Sequence, residues 1–125
     1  MVEVLSPEKT IRELFATTDA KDVEANAAYL TDDIELRFGN NEPVVGKAAY
    51  IAMSKEFFAS LSSLRHEIQS VWTVEDDVVI TEMTVHYERL DGQTLSLSCC
   101  NLFNTRDGRV HDYRVYMDIN PVFAA

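Results

Sequence analysis

Basic residues are scarce in this sequence: 11 Lys and Arg stand against 21 Asp and Glu, a formal net charge of −10. No cluster of Lys or Arg interrupts that imbalance. Binding to nucleic acid or to an anionic membrane surface requires a basic face that neutralises phosphates and releases counterions, so the sequence argues against both partners. The acidic surface serves solubility. Cysteine is equally sparse. The 2 cysteines, Cys99 and Cys100, are adjacent, and on a strand they point to opposite faces, where a bond between them would be strained. Reduced thiols fit a cytoplasmic setting, and a buried, small-apolar role suits them better than a reactive one. No apolar run approaches the ~18 residues of a membrane span. The opening MVEVLSPEKT also lacks a basic region followed by an apolar stretch. The 3 histidines share no short spacing, and there is no phosphate loop, nucleophile elbow or redox CxxC. Neither a metal nor a cofactor is expected.

What is present is a chain of 125 residues with 46% hydrophobic content, expected to fold as a single domain over 1–125. A chain of this size buries roughly two-thirds of its unfolded surface and needs no staple. Ser6, Pro7 and Glu8 give a helix start: an N-cap, a proline at the first helical position and a carboxylate at the positive end of the dipole. Ile11, Leu14, Phe15 and Thr18 mark its inner stripe. Asp19-Ala20-Lys21 breaks that helix, and Asp22 caps a second, with Val23, Ala27 and Leu30 inward. The stretch ELRFGNNEPVVGKAAY then reads as a short strand, a tight turn at Gly39-Asn40-Asn41, and a third helix of about 47–61 launched by Gly46, with Ala48, Ile51, Phe58 and Leu61 inward.

From Arg65 onward the pattern alternates with period 2, broken at Glu75-Asp76-Asp77, Asp91-Gly92 and Asp107-Gly108. Asp-Gly between alternating apolar runs is a strong hairpin signal, so 65–74, 78–90, 94–105 and 109–119 are expected to form an antiparallel meander. Helices followed by such a sheet make an α+β plan. Long strands curl, and a curled sheet closed by helices encloses a cavity.

Four local patterns carry a resemblance: Asp19 to Glu24 at the helix 1–2 joint, Leu30 to Asp33, Phe38 through Pro43 to Gly46, and Arg109-Val110 through Tyr116-Met117-Asp118. In this order and spacing the chain resembles the nuclear transport factor 2-like superfamily, and within it the SnoaL-like group. The resemblance implies a cone: a curved antiparallel sheet wrapped around three N-terminal helices. It does not settle function, because the superfamily holds isomerases, epoxide hydrolases, cyclases, dehydratases and binding modules. Similarity to ketosteroid isomerase places that enzyme's strand-borne base at Leu36 or Phe38, its helix tyrosine near Leu14 and its protonated acid at Asn101. Similarity to limonene epoxide hydrolase places its Tyr and Asn at Leu36 and Phe38, its Arg and first Asp near Met83 and Val85, and its last Asp near Val115. Those hydrolase positions are apolar here, and apolar side chains can neither move a proton nor activate water.

Strand parity then gives the expected ligand pocket: Leu36, Phe38, Trp72, Met83, Tyr87, Asn101, Tyr113 and Met117, with His66 and Ile68 on the face of Trp72, and His111 inward with Tyr113. An apolar wall with a few polar points suits a small hydrophobic molecule bearing a carbonyl. Asn101 either contacts that ligand or is satisfied within the core. The catalytic candidates are Asn101 and Tyr113 to polarise a carbonyl, with His66 or Asp118 to move a proton. Each has a plainer alternative, a structural strand-start residue for His66 and a cap or an ion pair with Arg114 for Asp118. The outer face carries Ile80, Cys100, Leu102, Val110 and Tyr116, an apolar band that two copies of the chain are expected to cover by pairing sheet to sheet. Two function classes therefore stand side by side, a binding module without the known catalytic residues and an isomerase, cyclase or dehydratase.

Overall fold

The computed structural model of the protein describes residues 5–124. Helix α1 (Pro7–Asp19) begins where the cap predicts, with the Ser6 hydroxyl accepting from the Lys9 backbone N–H at 3.3 Å. Ile11, Leu14 and Phe15 form its buried side. Helix α2 (Val23–Ala27) starts at Asp22, whose carboxylate accepts from the Ala25 N–H at 3.1 Å. Between the two, Lys21 sits in the left-handed region with φ 56°. Strand β1 (Leu30–Phe38) and the short β2 (Val44–Val45) precede Gly46, whose φ of 92° only glycine adopts readily. Helix α3 (Lys47–Ala59) follows. Its buried residues are Tyr50, Ser54 and Phe58, whereas Ala48 is exposed and Ile51 half-buried. Phe58 lies inward as expected, while Tyr50 and Ser54 take the inner positions expected of Ala48 and Ile51.

Four strands then run as a meander: β3 (Leu61–Val74), β4 (Val78–Arg89), β5 (Thr94–Arg106) and β6 (Arg109–Tyr116). The β5–β6 turn holds two residues at positive φ, Asp107 at 53° and Gly108 at 78°, as the tight hairpin requires. The sheet order is β2-β1-β6-β5-β4-β3. Strand β1 lies parallel to β6, with Leu36 beside Tyr113 and Phe38 beside Val115. This one parallel pair extends the meander into a six-stranded sheet. The last strand ends at Tyr116, short of the expected residue 119, and a short helix α4 (Asn120–Phe123) follows.

Two bulges decide which side chains face the interior. In β3, Ile68 pairs with Met83 but Ser70 pairs with Glu82, so Gln69 is the extra residue. In β6, Asp112 pairs with Asn104 but Val110 pairs with Thr105, so His111 is the extra residue. An extra residue inverts the side-chain alternation beyond it. Leu64, His66 and Ile68 therefore face inward opposite Tyr87, Val85 and Met83, while Trp72 lies opposite Ile80 on the outer face and is 49% exposed. The expectation that Trp72 shares the face of His66 is corrected by that bulge. Val110, expected on the outer face, is 0% exposed, for the same reason in β6.

Candidate functional site

A cavity of about 260 Å³ lies between the sheet, α3 and α4. Leu36, Phe38, Tyr87, Asn101, Tyr113 and Met117 are on its wall. Trp72 is not, being outside the sheet, and neither is Met83, which is 1% exposed in the core beneath the wall. Helix α3 contributes Tyr50, Met53, Ser54, Phe57 and Phe58, and α4 brings Phe123 to the mouth. The Arg89 guanidinium donates to the Ala124 carbonyl and tethers that segment. No Lys, Arg, Asp or Glu lines the cavity.

Asn101 is engaged from within. Its amide donates to Thr81 Oγ1 at 3.1 Å and lies 3.7 Å from Met83 Sδ, and its carbonyl accepts from the Cys99 thiol at 3.5 Å. Both amide hydrogens are thus directed at neighbours, leaving little to offer a ligand carbonyl. Tyr50 is engaged too, donating to Asn26 Oδ1 at 2.9 Å. The Asn26 amide in turn reaches the Leu14 carbonyl and the Thr17 and Thr18 hydroxyls. Tyr113 differs. Its hydroxyl has no partner, and no fully buried side-chain oxygen or nitrogen among the described residues lacks one, so this hydroxyl opens on the cavity. Burial foremost, reinforced by Tyr50 and Cys99, holds its pKa well above the ordinary phenol value. The group is a neutral donor.

The most polar point of the wall joins two distant parts of the chain. His66 Nδ1 lies 2.6 Å from Asp19 Oδ1, and the backbone N–H of His66 donates to both Asp19 oxygens, at 3.1 and 3.0 Å. Asp19 is the last residue of α1, where a carboxylate meets the negative end of the helix dipole. The donors of His66 offset that disadvantage. Because the carboxylate accepts, the hydrogen belongs on Nδ1, which leaves Nε2 with a free lone pair. Nε2 has no partner and faces the cavity. The ring stacks on Phe15 with centroids 4.6 Å apart, which fixes its plane.

The remaining candidates lie elsewhere. Asp118 is exposed and accepts from the Asn120 N–H at 3.1 Å, capping the turn into α4, so it is not a cavity base. Arg114 pairs instead with Asp112 at 3.1 Å. His86 bridges Glu67 and Ser96 on the outer face, and His111, expected inward, is the bulged residue and off the cavity wall. Among the described residues no group of three metal-binding side chains occurs, and no helix is long and apolar enough to cross a membrane.

Residues 11–113 match the model of the SnoaL-like domain. The chain belongs to the SnoaL-like family. No functionally curated protein matches it in sequence. Its fold is that of several solved structures. A nuclear-transport-factor-2-like protein of unknown function from Burkholderia pseudomallei has a TM-score of 0.84 at 15% identity, covering 94% of this chain and 98% of that one. An assigned SnoaL-like polyketide cyclase from Jannaschia gives 0.81 at 21% identity, covering 98% and 94%. An LEH-like epoxide hydrolase from M. tuberculosis gives 0.78 at 17% identity, covering 92% and 84%. At these identities the likeness is one of fold, so a functional reading of this SnoaL-like protein rests on its own cavity wall, where His66 stands with Asp19 behind it.

Proposed function

We propose that the protein is an enzyme that moves a proton on a small, uncharged, apolar molecule bearing a carbonyl, as isomerases, dehydratases and cyclases do. His66 Nε2 is the general base, Asp19 holds its tautomer and orientation, and Tyr113 donates to the oxygen on which charge develops. The observation that carries this reading is the 2.6 Å contact between Asp19 and His66, with Nε2 free toward an apolar cavity. An imidazole backed by a carboxylate on one nitrogen and unpartnered on the other is the arrangement a general base requires. Steroid isomerisation and epoxide hydrolysis by the machinery of those relatives are not part of the proposal, since Leu36, Phe38, Met83, Val85 and Val115 offer no charge.

The reaction can be tested without knowing the natural substrate. Small cyclic ketones that perturb the NMR signals of cavity residues are incubated with the protein in deuterated buffer, and deuterium uptake beside the carbonyl is followed. His66→Gln should slow the uptake by about 10²- to 10⁴-fold, the usual contribution of a positioned base, and Asp19→Asn should slow it as well. If His66→Gln exchanges as fast as the wild type with every ketone that binds, the base is wrongly assigned.

We propose further that two copies pair through the outer face of the sheet. Trp72, Ile80, Leu102, Arg114 and Arg37 lie in register as one row across five strands. One end of the row is apolar and the other carries two guanidinium groups, each held by a neighbouring carboxylate, Arg37 by Glu35 and Arg114 by Asp112. A two-fold stacking of two such rows lays the tryptophan end of one copy on the guanidinium end of the other, which is self-complementary.

A further inference from the structure

The geometry points to Lys21 as the positioning residue of the base. This rests on the reading of Asp19 and His66 given above and adds what fixes their separation. Lys21 follows Asp19 by two positions in the joint between α1 and α2. Its ammonium donates to three backbone carbonyls, Phe58 at 3.1 Å, Leu61 at 2.6 Å and Ser62 at 3.1 Å. Those carbonyls belong to the end of α3 and the start of β3, the strand that carries His66. A lysine there occupies the negative end of the α3 dipole from another part of the chain, so that helix needs no basic residue in its own last turn, and it has none.

The α1–α2 joint therefore grips the beginning of β3 at two points of opposite charge. The carboxylate of Asp19 takes the backbone and ring N–H groups of His66, and the ammonium of Lys21 takes the carbonyls upstream. Residue 62 is an extra residue in the β3–β4 register, since Leu61 pairs with Arg89 and Ser63 with Glu88, so this start of the strand is not held by a regular ladder. Lys21 supplies the missing restraint. The backbone of Lys21 lies at φ 56°, an unfavourable conformation for a residue with a Cβ, and it aims the side chain across the joint. A glycine would relieve that conformation but would carry no ammonium.

The test follows the low-field Nδ1–H resonance of His66 in the 15N-labelled full chain, with no ligand present. Lys21→Met should make that proton exchange with solvent roughly tenfold to a hundredfold faster, as expected for losing hydrogen bonds to a charged group. Lys21→Arg, which keeps a cation for the same carbonyls, should hold the rate near wild type. Lys55→Met, on the exposed side of α3, should change nothing. Should Lys21→Met fail to give a dispersed amide spectrum, Lys21→Gln is read on the same scale. A wild-type exchange rate in the folded Lys21 variant, even with a lowered melting temperature, overturns the assignment and leaves Lys21 a stability residue only. Asp19→Asn separates the two readings. It should abolish the low-field signal, and if it does not, the base assignment itself falls.

Discussion

His66 and Trp72 belong to one strand and face opposite sides of the sheet, His66 toward the cavity and Trp72 outward at 49% exposure. The extra residue Gln69 between them makes the strand serve two surfaces. Trp72 is the only tryptophan of the chain, so it reports on the outer face alone. At micromolar concentration, light scattering should give twice the chain mass for the wild type and the single chain mass for Trp72→Ala. Dilution of the wild type should shift the tryptophan emission to the red as the ring becomes hydrated. A wild-type protein that scatters as one chain removes the proposed pairing.

Two tyrosines of the cavity wall should respond in opposite ways to loss of the hydroxyl. Tyr50 donates to Asn26 within a buried network, so Tyr50→Phe leaves the Asn26 oxygen without its partner and should cost about 1–3 kcal/mol of stability. The hydroxyl of Tyr113 has no protein partner, so Tyr113→Phe should leave the melting temperature unchanged or slightly higher. The same change should slow ketone exchange by about 10²-fold if that hydroxyl stabilises the developing oxyanion. Chemical denaturation and the exchange assay read the two effects separately. A Tyr113→Phe variant with full activity would remove the donor from the mechanism.

The adjacent thiols should differ sharply. Cys99 is buried and Cys100 exposed, and burial pushes the Cys99 thiol up to about 11 from an ordinary 9.0. Because its folded pKa is raised, the thiol stabilises the fold fully below pH 9, and that contribution drains away as pH rises from 9.0 toward 11, where only the unfolded chain gains by ionising. Burial also raises the phenols of Tyr50, Tyr87 and Tyr113, which acts in the same direction. The melting temperature should therefore fall steadily above pH 9, and Cys99→Ala should flatten part of the fall. Iodoacetamide at pH 8 should label Cys100 alone in the folded protein. Equal labelling of both thiols would contradict the placement of Cys99.

The plan of the fold was readable because it rests on short-range chemistry. The caps at Ser6 and Asp22, the break at Gly46 and the Asp107-Gly108 turn each act within a few residues, and each stands where the sequence puts it. Side-chain parity was readable only as far as the first bulge. Nothing around Gln69 or His111 announces an extra residue, since a bulge is fixed by the partner strand. Tyr87 and Asn101 lie on two strands that pair without a register shift, and Leu36, Phe38, Tyr113 and Met117 all lie on the C-terminal side of the irregularities in β1 and β6, so their relative parity is kept. Asp19 was legible only as a helix end. Its second role depends on a residue 47 positions away, and no local spacing encodes such a contact. The same holds for Lys21, and for Tyr50, whose partner Asn26 lies in another helix.

The parallel pairing of β1 with β6 has a consequence for the order in which the molecule can be made. Every antiparallel partner in the meander is the next strand along, but β1 must wait for β6, and some 80 residues separate Leu30 from its partner Val110. On the ribosome the cavity-bearing half of β1, with Leu36 and Phe38, has no strand partner except the two residues of β2 until β6 has emerged. The nascent chain can hold helices and hairpins well before it holds a cavity. Pulsed hydrogen exchange during refolding should accordingly protect the β3–β4 amides first and those of β1 together with β6, and protection of β1 ahead of β6 would refute that order.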